Sequence, residues 1–296
     1  MTEARRGPAA VLESVKHVIR DLSTQTAGIA GIGVAVAGQV HPQTQAVVAA
    51  PNLGWRNFPL RDEIASAFHV PVWVENDVRG AAWGEFRFGH AAGARSLLAV
   101  FVGSGVGSGA VLDGAIWHGA GNAAGEVGHT QVVADGLPCP CGQRGCMEQY
   151  TSGNGLQRRL ALGLASEIPT RLAELTGGDA TRLSARVVFQ AAAAGDAFAG
   201  ELWSDVERHL VTSLANYVTV LNPEVLVLGG GVIETVPELF DTVVRRVREL
   251  TTEMARATLR IERAALGDWS GVVGAADLAR PAVRGAAARR AEPEES

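Results

Sequence analysis

Residues 96–119 read "SLLAVFVGSGVGSGAVLDGAIWHG". An apolar run reaches Val102, a glycine and serine stretch follows, and a second apolar run returns at residues 110–117. The pattern predicts a β-hairpin. Gly103, Gly105, Gly107 and Gly109 alternate with Ser104, Val106 and Ser108. Such a turn offers backbone N–H groups and hydroxyls to an anion such as phosphate. Tight hairpin geometry explains the same glycines without any ligand. A dinucleotide fingerprint is excluded, because G-x-G-x-x-G must open a helix and here the chain continues as strand.

Outward from the hairpin, strands and helices alternate. Upstream, "VLESVKHVIRDL" (residues 11–22) places Val11, Val15, Val18, Ile19 and Leu22 at helical spacing. "IAGIGVAVAGQV" reads as a buried strand entering a glycine turn, and "PVWVEND" as a short strand with a polar exit. Downstream, residues 155–220 read as largely helical. "PEVLVLGGG" (residues 223–231) returns to strand, and residues 236–256 suit one amphipathic helix. Alternation of this kind indicates an α/β fold. The tail after about residue 284 is too polar to pack and is expected to be disordered.

Composition narrows the function. Apolar residues make up 47% of the 296, enough for a sizeable core. No apolar run reaches the roughly 18 residues of a membrane span, and no signal peptide is evident, so a cytoplasmic location is expected. A net charge of −5 argues against nucleic-acid binding, which needs a basic face. Lys16 is the only lysine, so a G-x-x-x-x-G-K-[ST] phosphate loop cannot exist here.

All three cysteines fall within "HTQVVADGLPCPCGQRGC", residues 129–146. His129, Cys139, Cys141 and Cys146 form a Cys₃His set, the ligand count of a closed structural zinc site. Buried or redox cysteines beside an unrelated histidine are the alternative, although no C-x-x-C pair is present. In "VENDVRG", Asn76 and Asp77 close a strand, where α/β folds build their sites. Asp77 suits a general base and Asn76 a ligand donor. The pair equally suits a helix N-cap. Gly229, Gly230 and Gly231 follow another strand, permitting close approach of a flat ligand or simply starting a helix.

Taken in order, these features resemble the ROK family (repressors, open reading frames and kinases), with its actin/hexokinase-like, ribonuclease H-like ATPase fold of two lobes. The run from Phe101 to His129 is similar to the family's glycine-rich hairpin and G-E-[VI]-G-H. "CPCGQRGCMEQYTSG" matches its zinc motif without a gap, and "APNLGW", "NPEVLVLGGGV" and "GVVGAADLA" are further family blocks.

The resemblance implies an ATP-dependent kinase acting on a hexose, glucokinase-like, or on an N-acylhexosamine. Asp77 would be the catalytic base. Asn76, Asp77, Gly105, Glu126, His129 and Glu148 would bind the sugar. Gly103, Ser104, Gly105, Gly107 and Gly229 to Gly231 would meet ATP, accompanied by Mg²⁺. Zn²⁺ would be structural, held by His129, Cys139, Cys141 and Cys146, with the free nitrogen of His129 turned to the sugar. A homodimer is expected because relatives often pair.

The implied layout is a small lobe over residues 1–93 with a C-terminal helix at about 271–284. A large lobe spans 94–270, and a disordered tail 285–296. One departure stands out: no D-x-G-x-T, the family's phosphate-binding hairpin motif, occurs in these 296 residues. The small lobe is therefore expected to be N-terminally truncated and transfer weakened. The alternative function is a catalytically inactive sugar-binding or sugar-sensing protein. Arg79 stands where many members have Asn, and is expected to alter phosphate or sugar contacts.

Overall fold

The computed structural model describes residues 7–26 and 28–291 and divides into two compact units. The first comprises Met1–Ala92, Ile116–Ala124 and Asp268–Ser296. It opens with helix α1 (Pro8–Thr24), started by Pro8, whose fixed φ suits a first helical position. Val11 and Leu12 are buried and Val15 and Ile19 pack against the same core. Val18 and Leu22, expected on that face, are more than half exposed.

Strand β1 (Ile32–Val36) is followed by an antiparallel meander of β2 (Gln39–Val40), β3 (Val47–Ala50) and β4 (Trp55–Phe58). Helix α2 (Leu60–Phe68) then leads into β5 (Val72–Asn76), which runs parallel to β1 with Val36 opposite Asn76. Gln45 ties the meander to this pair, its side-chain oxygen accepting from the Val74 N–H at 3.1 Å. Helix α3 (Asp77–Phe88) starts directly where β5 ends.

A C-terminal helix, Ser270–Ala291, packs against α3 and β1. The approach is so close that a Cβ on Gly274 would lie 1.8 Å from the Gly80 carbonyl oxygen. Only glycine permits that separation, and it fixes the axis of α3. This helix overruns the end expected near residue 284, so residues 285–291 are helical, not a disordered tail. Residues 292–296 of that expected tail lie outside the described residues.

The second unit holds Gly93–Ala115 and Gly125–Gly267. The predicted hairpin is present as β6 (Leu97–Val102) and β7 (Val106–Leu112), antiparallel with Val102 opposite Val106. With β8 (Ala115–Ile116), β9 (Val225–Gly229) and β10 (Arg260–Arg263) they form a sheet ordered β10-β9-β6-β7-β8. β9 lies parallel to both β6 and β10 and is buried throughout, as its unbroken "VLVLG" requires.

Helices of this unit cover a core that includes Leu98, Val100, Leu210, Leu226 and Leu228. Each such side chain contributes about 1.5–3 kcal/mol on burial. The single helix expected over residues 236–256 is two, Pro237–Leu250 and Glu253–Thr258. Thr252 caps the second by accepting from the Ala255 N–H, giving the backbone a local partner that competes with helix continuation. Residues 116–124, expected in the large lobe, pack with the first unit.

Candidate active site and metal centre

In the first unit, Asn76 takes the cap reading: it is the N-cap of α3. The Asn76 side-chain oxygen accepts from the Val78 and Arg79 N–H groups, both at 3.1 Å, as a helix N-cap does. Its amide donates to the Gly38 carbonyl at 3.2 Å and to Asp77 Oδ1 at 3.1 Å. Asn76 is thus engaged at both ends inside its own unit, with its amide holding the aspartate.

Asp77 Oδ1 also accepts from the Val78 N–H at 2.9 Å. Asp77 Oδ2 has no partner among the described residues. One oxygen is therefore fixed and the other is open to take a proton. Burial raises the Asp77 pKa above the ordinary carboxylate value. The backbone N–H of Val78, that of Asp77 itself, the Arg79 charge and the Asn76 amide offset this only in part. A raised pKa strengthens the base while leaving the helix N-terminus to favour its anion.

Behind Asp77 lies a buried polar network that sequence reasoning did not assemble. Glu75 Oε1 accepts from Arg79 Nε and from the Asn76 N–H, each at 2.9 Å, and Glu75 Oε2 meets His118 Nε2 at 2.8 Å. Arg79 Nη1 donates to the Asn122 carbonyl at 3.0 Å. The Asn122 side chain in turn donates to the Val40 carbonyl at 2.6 Å. Burial alone would raise the Glu75 pKa, but the His118 bond, the Arg79 charge and the Asn76 N–H lower it overall. Arg79 is 2% exposed and its side chain bonds Glu75 and Asn122, so an effect on phosphate or sugar contacts would be indirect.

In the second unit, the β6–β7 turn is Gly103-Ser104-Gly105. Two of its carbonyls are taken by helix Gly153–Ala165, Gly153 N–H donating to Gly103 at 2.8 Å and Asn154 N–H to Ser104 at 3.0 Å, while the Gly105 carbonyl accepts from the Gly103 N–H at 2.9 Å. Ser104 is exposed. Ser108, expected to offer a second hydroxyl, is buried and donates to the Gly125 carbonyl at 2.7 Å. Gly107 sits within the β7 ladder opposite Phe101 and is not part of the turn.

The Glu148 carboxylate lies against Gly105, where a Cβ would come within 2.7 Å of its oxygen, and accepts from the Val106 N–H at 2.9 Å. Gly128 packs on the Val106 carbonyl, 2.3 Å from where its own Cβ would be. One strand residue thereby anchors both Glu148 and the turn Val127–His129 that follows the exposed Glu126. Glu126, His129, Glu148 and the hairpin turn are brought together in this unit. Asn76 and Asp77 belong to the other.

The glycine triplet divides by role. Gly230 has φ +87° and its Cβ would lie 2.6 Å from the Val102 carbonyl oxygen, so its backbone requires glycine. Gly229 is crowded by Phe101 and Ala264. Gly231 faces open space as it starts the short helix Gly231–Thr235, and its N–H neighbours Gly103.

The four expected metal ligands converge: the donor atoms of His129, Cys139, Cys141 and Cys146 all lie within 4.8 Å of one another. Cys139 Sγ is 3.7 Å from His129 Nδ1, and Cys141 Sγ is 3.7 Å from Cys146 Sγ. A tetrahedron of Zn–S bonds near 2.3 Å has edges of about 3.8 Å, so the spacing fits zinc and not a disulfide. Burial and the neighbouring thiols push Cys146 up to about 12 and burial raises Cys139, whereas hydrogen bonds outweigh burial and lower Cys141, so a cation is what would hold the two buried sulfurs as thiolates. Gln149, unremarked in the sequence, donates to Cys139 Sγ at 3.2 Å, and Arg158 Nε holds Gln149 at 3.0 Å.

The ROK family pattern matches residues 2–282. The chain belongs to the ROK family. A glucokinase of Halalkalibacterium halodurans is 36% identical over 245 residues, covering 82% of this chain and 74% of that one. A xylose repressor of Caldicellulosiruptor bescii is 31% identical over 248 residues, 83% of this chain and 61% of the repressor. Among solved structures, a ROK family glucokinase from Streptomyces griseus in complex with glucose and AMPPNP gives a TM-score of 0.76. It is 32% identical, with 93% of this chain and 89% of that chain covered. The fold is accordingly of the actin/hexokinase-like ATPase type, and the relatives favour a sugar kinase. No helix among the described residues is long and apolar enough to cross a membrane.

Proposed function

We propose that this ROK protein phosphorylates a hexose, glucose or an N-acylhexosamine, using ATP. The observation that carries this reading is the Asp77 carboxylate, with one oxygen fixed by Asn76 and Val78, the other open, and its pKa raised. Asp77 takes the proton of the attacking sugar hydroxyl. The new bond forms between that oxygen and the γ-phosphorus, while the bond from phosphorus to the bridging oxygen breaks and releases ADP.

Glu126, His129 and Glu148 accept and donate to sugar hydroxyls, with Gly105 leaving room for the Glu148 carboxylate. Asn76 acts mainly through Asp77, since its own polar atoms are engaged. The turn Gly103-Ser104-Gly105 and Gly231 meet ATP, while Gly107, Gly229 and Gly230 shape the backbone around them. Mg²⁺ accompanying ATP neutralises phosphate charge. His129, Cys139, Cys141 and Cys146 would hold a structural zinc, which would orient the His129 ring and leave its other nitrogen for the sugar. A cytoplasmic homodimer completes the reading.

The test is phosphate transfer from ATP to a panel of hexoses and N-acylhexosamines, with binding measured in parallel by calorimetry. At least one sugar is expected to be phosphorylated. Asp77→Asn should lower kcat by about 10²–10⁴-fold, the usual worth of a general base, with sugar affinity nearly unchanged. Retained turnover in that variant would remove Asp77 from the role. The 31% identical xylose repressor favours a second reading, sugar binding without transfer. Saturable binding with no sugar phosphate from any member of the panel would select it.

A further inference from the structure

From the buried network behind Asp77 we infer that Arg79 is a positioning residue for phosphoryl transfer. It clamps the first turn of α3 to the segment 116–124 and so fixes the direction of the Asp77 carboxylate. The inference rests on the proposed role of Asp77 as base.

The side chain touches no outer surface, being 2% exposed, and each bond it makes is internal. Nε binds Glu75 Oε1 at 2.9 Å, from the last turn of β5, and Nη1 binds the Asn122 carbonyl at 3.0 Å. Asn122 is itself pinned to β2 through the Val40 carbonyl and is held at φ +57°. Glu75 oxygens reach the Asn76 N–H on one side and His118 on the other. Glu75, just before Asn76, and Arg79, two residues beyond Asp77, are thereby tied to each other and to the segment holding His118 and Asn122.

A buried charge of this kind is costly unless paired. Here Nη2 is buried with no partner among the described residues, so the arrangement is not the cheapest way to fill the space. Retaining such a charge beside a base has a physical use. Glu75, Asp77 and His118 are the titratable groups facing Arg79, and its positive charge favours the ionised Asp77. Through the backbone it clamps, the same side chain acts on the orientation of a carboxylate held by Asn76 and Val78, and its charge partly offsets the burial that raises the Asp77 pKa. A misplacement of about 1 Å at a reacting group can cost on the order of 10²-fold in rate, so a rigid clamp is worth its desolvation.

Three variants test this. Arg79→Met removes clamp and charge. Arg79→Lys restores charge without the forked bonds. Glu75→Gln with Arg79→Met removes both buried charges together, which guards against simple misfolding. In Arg79→Met we expect kcat to fall at least tenfold with sugar affinity within threefold, and the acid limb of kcat/KM to move to higher pH. Arg79→Lys should return the limb towards wild type while kcat stays low. Amide hydrogen exchange at residues 77–80 and 119–123 should quicken at least tenfold in Arg79→Met and in the double variant, a readout that needs no turnover. A folded Arg79→Met protein with wild-type kcat overturns the inference, and so does unchanged exchange in those segments. A wild type that transfers no phosphate overturns the proposed function and this inference with it, whatever the exchange result. Turnover retained by Asp77→Asn instead sinks the base assignment, whatever Arg79 does.

Discussion

The two units hold their polar side chains by opposite means. In the second unit, the hairpin turn, Glu126, His129, Glu148 and the Cys₃His cluster come from two nearby runs, 101–115 and 125–150, separated in sequence by the segment 116–124 of the first unit. Glycines fix them: Gly105, Gly128 and Gly145 each have backbone or carboxylate atoms where a Cβ would be. In the first unit, Asp77 is held by its neighbours Asn76 and Val78, and it is the residues around it that reach far in sequence: Asn76 to Gly38, Arg79 to Asn122 and Asn122 to Val40. The contrast teaches that shape can hold a pocket wall where its motifs lie close in sequence. A buried base needs charge and hydrogen bonds gathered from several elements.

Metal removal should separate the two most sharply. Structural zinc is worth about 10–16 kcal/mol in small zinc domains, against about 1 kcal/mol for a single hydrogen bond, so an ion held by the Cys₃His cluster would dominate the order of residues 130–150. Purified protein is expected to carry one zinc per chain by elemental analysis. Cys141→Ser should lose most of it, with faster amide exchange across that loop and weaker sugar binding. Exchange at residues 76–80 should stay as in wild type. A disturbance there of equal size would break the comparison.

The glycine triplet gives a smaller, more local test. Gly230→Ala combines φ +87° with a Cβ 2.6 Å from the Val102 carbonyl oxygen and should destabilise by roughly 1–3 kcal/mol, read as a lower Tm. Gly231→Ala meets nothing within 4 Å and should leave Tm unchanged while weakening ATP affinity. Equal loss of Tm in both would show that the triplet is purely structural.

The smallest effect concerns pH and the two carboxylates of the first unit, whose pKa values are moved in opposite directions. Glu75, lowered, contributes stability present above the ordinary glutamate pKa and lost as pH falls through its depressed folded value. Asp77, raised, has the reverse sign: its contribution falls as pH rises through the raised value, because the fold then holds a buried charge. Asp77→Asn should therefore raise Tm slightly near neutral pH, and the gain should vanish in acid. Thermal melts of wild type and variant across that range check it. A variant less stable than wild type at neutral pH would mean that the helix N-terminus outweighs burial at Asp77.

Much of the site was legible because its signals are local. The Cys₃His set, the hairpin and the glycines of "GEVGH" are spacing patterns, and spacing survives folding. The reading of Asn76 as both cap and ligand donor was open in sequence because each role uses the same residue type. Tertiary contacts decided how its atoms are spent. Ser108 looked like a turn hydroxyl only because the register of β6 on β7 was not yet fixed, and one residue of register turns a side chain to the other face.

The sequence by itself determined the alternation of strands and helices, the metal ligands and the strand-end aspartate, since these depend on periodicity and residue chemistry within short windows. Only the tertiary structure decided that residues 116–124 pack with the first unit. It also decided that Arg79 turns inward to Glu75 and Asn122, and that Gly230 is structural while Gly231 is open. Those outcomes depend on which distant backbone arrives beside each side chain, and burial, not local propensity, then sets the cost of every unpaired charge.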